Sequence, residues 1–212
     1  MFRTIFIALS ENRMIRRIAE RSAMGRKVSG RFVAGMTVAD ALDATARTNA
    51  LGMSVSVDNL GENVTNLAEA NESAKLYHEL IDDITARKLD ANVSLKLTHM
   101  GLDLDPALAR SIVSDLVDHA VKVGNFARID MEGSPYTQQT LEVVRELHAQ
   151  PGHAGHVGAV IQAYLHRSEA DVRDLCASGI RIRLCKGAYK EKPEIAFQEK
   201  AEVDANFVTL MK

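Results

Sequence analysis

From residue 37 onward, short apolar or β-branched runs alternate with longer stretches of helical period. The runs fall at 53–58 (MSVSVD), 92–97 (NVSLKL), 126–132 (FARIDME), 157–165 (VGAVIQAYL) and 180–186 (IRIRLCK). Between the first two, Leu67, Ala70, Ala74, Tyr77, Ile81 and Ile84 recur three and four apart, which places them on one helical face. Asp105-Pro106 sets an N-cap before a proline suited to a first helical turn, and Gly124 closes that helix. Thr37 with Asp40, and Ser168 with Asp171, have capping-box spacing with Asp in the place of Glu. Gly52 and Gly179 stand just past helix ends and just before strands.

Strand then helix, five times over, predicts parallel strands joined by right-handed crossovers. A doubly wound open sheet and a (β/α)8 barrel both satisfy that order. No GxGxxG or GxxxxGK[ST] follows a strand; the glycines between 30 and 35 lack the lysine, and GHAGHVG has the wrong spacing. Polar residues do sit at the C-terminal ends of successive strands: Asp58, Lys96, Asp130, Gln162, then Arg183 and Lys186. In a barrel those ends converge on one face. The expected architecture is therefore α/β, the TIM-barrel class. Residues 1–52 are an N-terminal helical segment, and 53–212 supply about the first five βα units.

Strand alternation divides each run into two faces. Val93, Leu95 and Leu97 oppose Ser94 and Lys96; Ile129 and Met131 oppose Arg128, Asp130 and Glu132; Ile180, Ile182 and Leu184 oppose Arg181 and Arg183. Helices cover the outer face of a barrel, so the polar sets should point inward, where charge is costly unless paired. Lys96 and Asp130, on adjacent strands, are expected to pair. Such a pair reads either as a salt bridge that specifies strand order or as part of a reactive site. Arg128, Glu132 and Arg181 read as structural. His148, His153 and His156 lie in a Gly-rich connection without a carboxylate partner and are expected to be a solvated loop, not a metal site.

Composition places the chain among ordinary globular proteins: 46% hydrophobic, 25% charged, net charge −2. Cys176 and Cys185 give no disulfide framework, and no CxxC or HExxH suggests zinc. No apolar run reaches the ~18 residues of a membrane-spanning helix. Charge is unevenly spread, because residues 1–31 hold eight Lys/Arg against two acids. Arg13, Arg16, Arg17 and Arg21 recur at helical spacing around Ile15 and Ile18. That pattern reads as a solvated helix face or as a contact with anionic lipid or an acidic partner. No small-residue cleavage site follows the apolar MFRTIFIAL, so a signal peptide is not expected. The chain should be cytoplasmic, or peripheral at the inner face of the membrane. No nucleic-acid partner is expected.

Six segments together resemble the bacterial proline dehydrogenases: RFVAG (31–35), LGENV (60–64), SLKLTHMGLD (94–103), RIDMEGSPYTQQT (128–140), IQAYLHRSEAD (161–171) and RLCKGAYKE (183–191). They run in the family's order from about residue 31 to 204. The resemblance implies a (β/α)8 barrel holding FAD non-covalently, oxidation of L-proline to Δ1-pyrroline-5-carboxylate, and transfer of the electrons to a membrane quinone. Hydride would pass from the carbon beside the ring nitrogen to flavin N5, chemistry in which positioning dominates. By resemblance, Lys96 lies near the substrate carboxylate and the flavin, and Asp130 holds that lysine. Gln162 meets the flavin ring, Arg183 lies beside N5, and Lys186, Gly187, Ala188 and Tyr189 form a loop along the cofactor.

Some positions depart from the family. Cys185 replaces an aliphatic residue, and Lys190 stands where some members carry an aromatic one. The paired arginines of the family's last barrel helix, and its flavin contacts from the sixth strand onward, have no counterpart in this chain. A helix starting near Pro193 carries Val203, Phe207 and Leu210 on its apolar stripe without a stop signal. These features imply an N-terminal part of a longer barrel, inactive alone, whose reading frame continues for roughly 90 residues. Two other readings remain: a flavin-site remnant or assembly protein without turnover, and an aldolase with a Schiff base on Lys96 or Lys186. An Asp partner for Lys96 argues against the aldolase by favouring the charged amine.

Overall fold

The structure, a computed structural model, describes residues 33–61 and 63–212; the basic 13–21 segment lies outside them. The chain divides into two units, Met1–Gly52 and Met53–Lys212. In the first, helix α1 (Val38–Asn49) begins with the expected capping box: Thr37 accepts from the Asp40 amide, and Asp40 accepts in return from the Thr37 amide.

The second unit runs β1 (Val55–Asp58), α2 (Leu67–Ala86), β2 (Ala91–Leu95), α3 (Pro106–Val123), β3 (Ala127–Ile129), α4 (Ser134–His148), β4 (Val157–Gln162), α5 (Ser168–Ala177), β5 (Arg181–Cys185) and α6 (Lys200–Leu210). All five strands are parallel and lie in sequence order. Each crossover is a helix, as parallel pairing requires.

Alternation along the strands gives the sheet its two faces. Val93, Leu95, Ala127, Ile129, Val157 and Ala159 point to the helix-covered face and are fully buried. Tyr77, Ile81 and Ile84 of α2, Leu116 and Val117 of α3, and Leu141 and Val144 of α4 are buried as well. Burying one such aliphatic side chain contributes about 1.5–3 kcal/mol, and this layer holds the strand order. Helix α3 has the ends its sequence requires. The Asp105 carboxylate accepts from the Ala107 and Leu108 amides at 3.0 Å, and Gly124 closes the helix in the left-handed region, φ 71°.

Three local expectations fail for physical reasons. Helix α5 has no capping box; Asp171 is held by Arg167 at 2.7 Å, and the buried Ser168 hydroxyl accepts from Asn206 at 3.0 Å. The last helix begins at Lys200, not near Pro193. Residues 195–197 run extended beside 164–166, where the Phe197 amide donates to the Tyr164 carbonyl and the His166 amide to the Ile195 carbonyl. His153 is buried, 3% exposed, and its Nε2 lies in hydrogen-bond contact with Asp118 of α3 at 2.8 Å, so it is no part of a solvated loop. The His156 Nδ1 lies 2.6 Å from the Asn125 carbonyl oxygen.

Among the described residues, no group of three or more His, Cys, Asp or Glu is placed to hold a metal ion, and no helix is long and apolar enough to cross a membrane.

Candidate active site

The parallel register aligns Asp58 with Ser94, and Ser94 with Arg128. One pleat further on, at the C-terminal strand ends, come Lys96 and Asp130, with Arg183 on β5. Even spacing within the strands therefore gathers side chains 125 residues apart in sequence, from Asp58 to Arg183, on one polar face.

Lys96 and Asp130 take part in the same network through different partners than expected. The Lys96 Nζ lies 3.3 Å from Asp58 Oδ2, and Arg183 Nη2 donates to Asp130 Oδ1 at 2.6 Å. The pairing shifts because Asp58, one strand to the other side of Lys96, also reaches the strand ends. Two bridges join the pairs. The buried Tyr77 hydroxyl contacts both Asp58 Oδ1 (3.0 Å) and the Ser94 carbonyl (2.8 Å), and accepts from the Asn59 amide at 3.2 Å. The Ser94 hydroxyl donates a short hydrogen bond to Asp130.

Burial pushes the Asp130 carboxyl above its ordinary range. The Ser94 hydrogen bond and the charges of Arg183 and Lys96 pull the other way, while Asp58 adds to the rise. Burial and the Asp58 charge raise the Tyr77 phenol, which stays protonated. Burial also raises the Cys185 thiol, which makes a reactive thiolate unfavourable there.

Gln162 ends β4 with its amide nitrogen donating to the Glu132 carbonyl (2.8 Å) and the Met131 carbonyl (3.3 Å). Its amide is fixed in direction, with the oxygen left as an acceptor. Glu132 is buried and accepts from the Thr98 amide at 3.1 Å and the Thr98 hydroxyl at 2.5 Å, the structural role expected of it.

Lys186, Gly187, Ala188 and Tyr189 form the segment after β5. Lys186 donates to Asp204 of α6 at 2.5 Å, and Lys200 also pairs with Asp204. Gly187 has φ 106°, and a Cβ there would fall 2.2 Å from a ring carbon of Tyr164; only glycine fits against that ring. Burial and the Glu191 charge push the Tyr164 phenol up to about 12. Lys186, Gly187 and Tyr189 line an open cleft of about 360 Å³ with Tyr164, Phe197 and Asp204.

These groups suit a flavin. Gln162 has an amide fixed in direction whose oxygen would be available to a ring N–H, and Arg183 holds a cation at the strand ends that would suit developing negative charge. The residues after β5 supply backbone and an aromatic wall beside them.

The proline dehydrogenase family profile matches residues 41–211. The chain belongs to the proline dehydrogenase family. Proline dehydrogenase 1 of Bacillus subtilis (strain 168) is 35% identical over 213 residues, covering 100% of this chain and 69% of its own length. Proline dehydrogenase 2 of the same organism is 33% identical over 210 residues, covering 99% and 68%. The proline dehydrogenase of Deinococcus radiodurans is 32% identical over 218 residues, covering 100% and 68%. Among solved structures, proline utilization A from Bdellovibrio bacteriovorus inactivated by N-propargylglycine matches with a TM-score of 0.78 and 26% identity, over 88% of this chain and 24% of that one. A Bradyrhizobium japonicum proline utilization A variant shares the fold at a TM-score of 0.70 and 23% identity, over 87% and 22%. The family is one of oxidoreductases, and the five parallel strands of this member are a half-barrel of its TIM-barrel fold.

In this family member the sequence pattern undervalued three residues. Asp58 is visible as a strand-end carboxylate, but its pairing with Lys96 depends on which neighbouring strand supplies the nearer charge. Tyr77 sits in an apolar helical stripe that hides its hydroxyl's role. Glu191 is one acid in a charged loop, and no local signal shows that it reaches Ser134, 57 residues away.

Proposed function

We propose that the strand-end network serves the oxidation of L-proline to Δ1-pyrroline-5-carboxylate, with FAD as hydride acceptor and a membrane quinone as final electron acceptor. Residues 53–212 are the flavin- and substrate-bearing part, on the cytoplasmic side of the membrane. The single observation that carries this reading is the placement of Lys96 and Arg183 on Asp58 and Asp130 at the strand ends of a family-matched chain.

Each residue has a physical task in that reading. The Lys96 ammonium, oriented by Asp58, offers a fixed positive charge to the proline carboxylate. Asp130 orients Arg183 and is itself held by Ser94. Arg183 would supply a fixed positive charge to stabilise negative charge arising on a bound flavin. Gln162 and the segment Lys186–Tyr189 would hold the cofactor, the first through its side-chain amide and the second through its backbone and the tyrosine ring. FAD, when bound, supplies the two-electron acceptor. No side chain here has to bond covalently to the substrate.

The isolated 212-residue chain should turn over little, since five strands leave the site open on one side. The reaction is best tested in a chimera in which residues 53–212 replace the matching stretch of Bacillus subtilis proline dehydrogenase 1. Anaerobic L-proline is expected to bleach the bound flavin, and Lys96→Met is expected to weaken proline strongly while flavin stays bound. A chimera that holds FAD but is not reduced by proline would overturn the assignment.

A further inference from the structure

A line of hydrogen bonds crosses the strand ends from β1 to β4 and finishes on Gln162. It starts after β1, where Asn63, in the left-handed region at φ 49°, donates its amide to the Thr98 hydroxyl at 3.3 Å. Thr98 follows the end of β2 and is 1% exposed. Its hydroxyl and its amide donate in turn to the two side-chain oxygens of Glu132, at 2.5 Å and 3.1 Å.

Glu132 reaches in two directions. Strand β3 ends at Ile129, and the chain continues through 131 and 132 as irregular backbone, beyond the register of the sheet. The Glu132 side chain turns back to the segment after β2, while its carbonyl turns forward to the end of β4. A buried carboxyl group, here 3% exposed, is costly unless its oxygens find donors. Thr98 supplies both donors, and so holds the backbone at 132 in one place.

That backbone sets the direction of Gln162. The Gln162 side-chain nitrogen donates to the Glu132 carbonyl at 2.8 Å and to the Met131 carbonyl at 3.3 Å. The amide has two N–H hydrogens and both acceptors are carbonyl oxygens, so a reversed amide would set oxygen against oxygen. Gln162 is 2% exposed, and water cannot replace bonds lost there. The polarity of this amide is therefore decided at Glu132 and, through it, at Thr98.

We propose, on the flavin reading of the strand ends, that Thr98 and Glu132 are positioning residues for the cofactor. They hold the carbonyls of 131 and 132, and those carbonyls turn the Gln162 amide so that its oxygen is offered to the flavin. Neither side chain needs to touch the flavin; both act through Gln162.

The probe is FAD, titrated into the 212-residue chain and followed by flavin fluorescence in a double-substitution cycle. Thr98→Val keeps the size of the side chain and removes its hydroxyl. It is expected to weaken FAD binding about fivefold, the scale of one hydrogen bond that has lost its direction. Beside Gln162→Leu the same change should weaken binding no further, since nothing is left for Thr98 to orient. Thr98→Ser, which keeps the hydroxyl, should retain native affinity. Glu132→Gln should also lose affinity only beside an intact Gln162, and it carries the cycle where Thr98→Val does not fold. An equal loss in both backgrounds, a loss with Thr98→Ser that matches Thr98→Val, or native affinity in a Thr98→Val chain with native circular dichroism would each overturn the proposal. A native chain that does not bind FAD, or Gln162→Leu at native affinity, would instead remove the flavin reading and the proposal with it.

Discussion

Glu191 caps a helix to which it does not belong. Its Oε1 accepts from the Ser134 amide and its Oε2 from the Ser134 hydroxyl, both at 2.7 Å, at the first residue of α4. Gly133, the residue before that helix, has no side chain with which to cap it. A carboxylate from the segment after β5 thus answers the free amide and the positive end of the helix dipole. The same contact ties the segment that follows Lys186–Tyr189 to the start of α4, four residues after Asp130 in the chain.

Glu191→Ala should therefore cost about 1 kcal/mol of stability, the usual scale of a lost N-cap. The effect should be local as well as global. Hydrogen exchange at the Ser134 amide should accelerate, together with that of the segment after β5. Unchanged exchange in both places would show that the cap does not couple them.

Tyr77→Phe removes a buried hydroxyl that contacts Asp58, the Ser94 carbonyl and the Asn59 amide. Leaving those groups without it should cost about 1–3 kcal/mol in urea unfolding. The two ion pairs flanking Tyr77 would also lose their link, so the substitution should weaken substrate binding in the chimera more than a remote change of equal cost. Equal stability in the two proteins would contradict the bridging role.

The raised Asp130 carboxyl makes a signed prediction. Its folded-state value lies above 3.8, so ionising it favours the unfolded chain. The stabilising contribution is complete below 3.8 and is lost as pH rises through the raised value. The stability of the native chain relative to Asp130→Asn should accordingly fall between acidic and neutral pH, measured by urea unfolding of both proteins. A difference that grows with pH would mean that Arg183 and Lys96 outweigh burial.

Gly187→Ala places a side chain at φ 106° and against the Tyr164 ring. Strain and overlap together should cost about 2 kcal/mol or more. Because the ring lines the cleft, flavin affinity should fall as well. Normal stability with normal flavin binding would show that the segment simply rearranges.

The sequence made the sheet legible because its alternation has a single consistent meaning in each strand. Val93 and Leu95 face helices; Ser94 and Lys96 face the site. The strand-end polar residues were visible for the same reason. Pairing was less visible, because a sequence does not say whether Lys96 turns to the strand before it or after it. Asp58 and Asp130 were both available, and Arg183, reaching from β5, took the second. The segment 193–199 misled because it makes only a turn at 193–195, after which main-chain bonds of 195–197 to 164–166 take the backbone out of the helical path, a tertiary effect with no local signature. His153 was missed in the same way, since its partner Asp118 lies on a different element.

The most direct test of the account is a titration of FAD with the 212-residue chain, followed by flavin absorbance and fluorescence. Saturable quenching with a shifted flavin band is expected, weakened by Arg183→Met and by Gln162→Leu. A folded chain that leaves the flavin spectrum unchanged, or binding indifferent to both substitutions, would contradict the assignment of the strand ends as the flavin site.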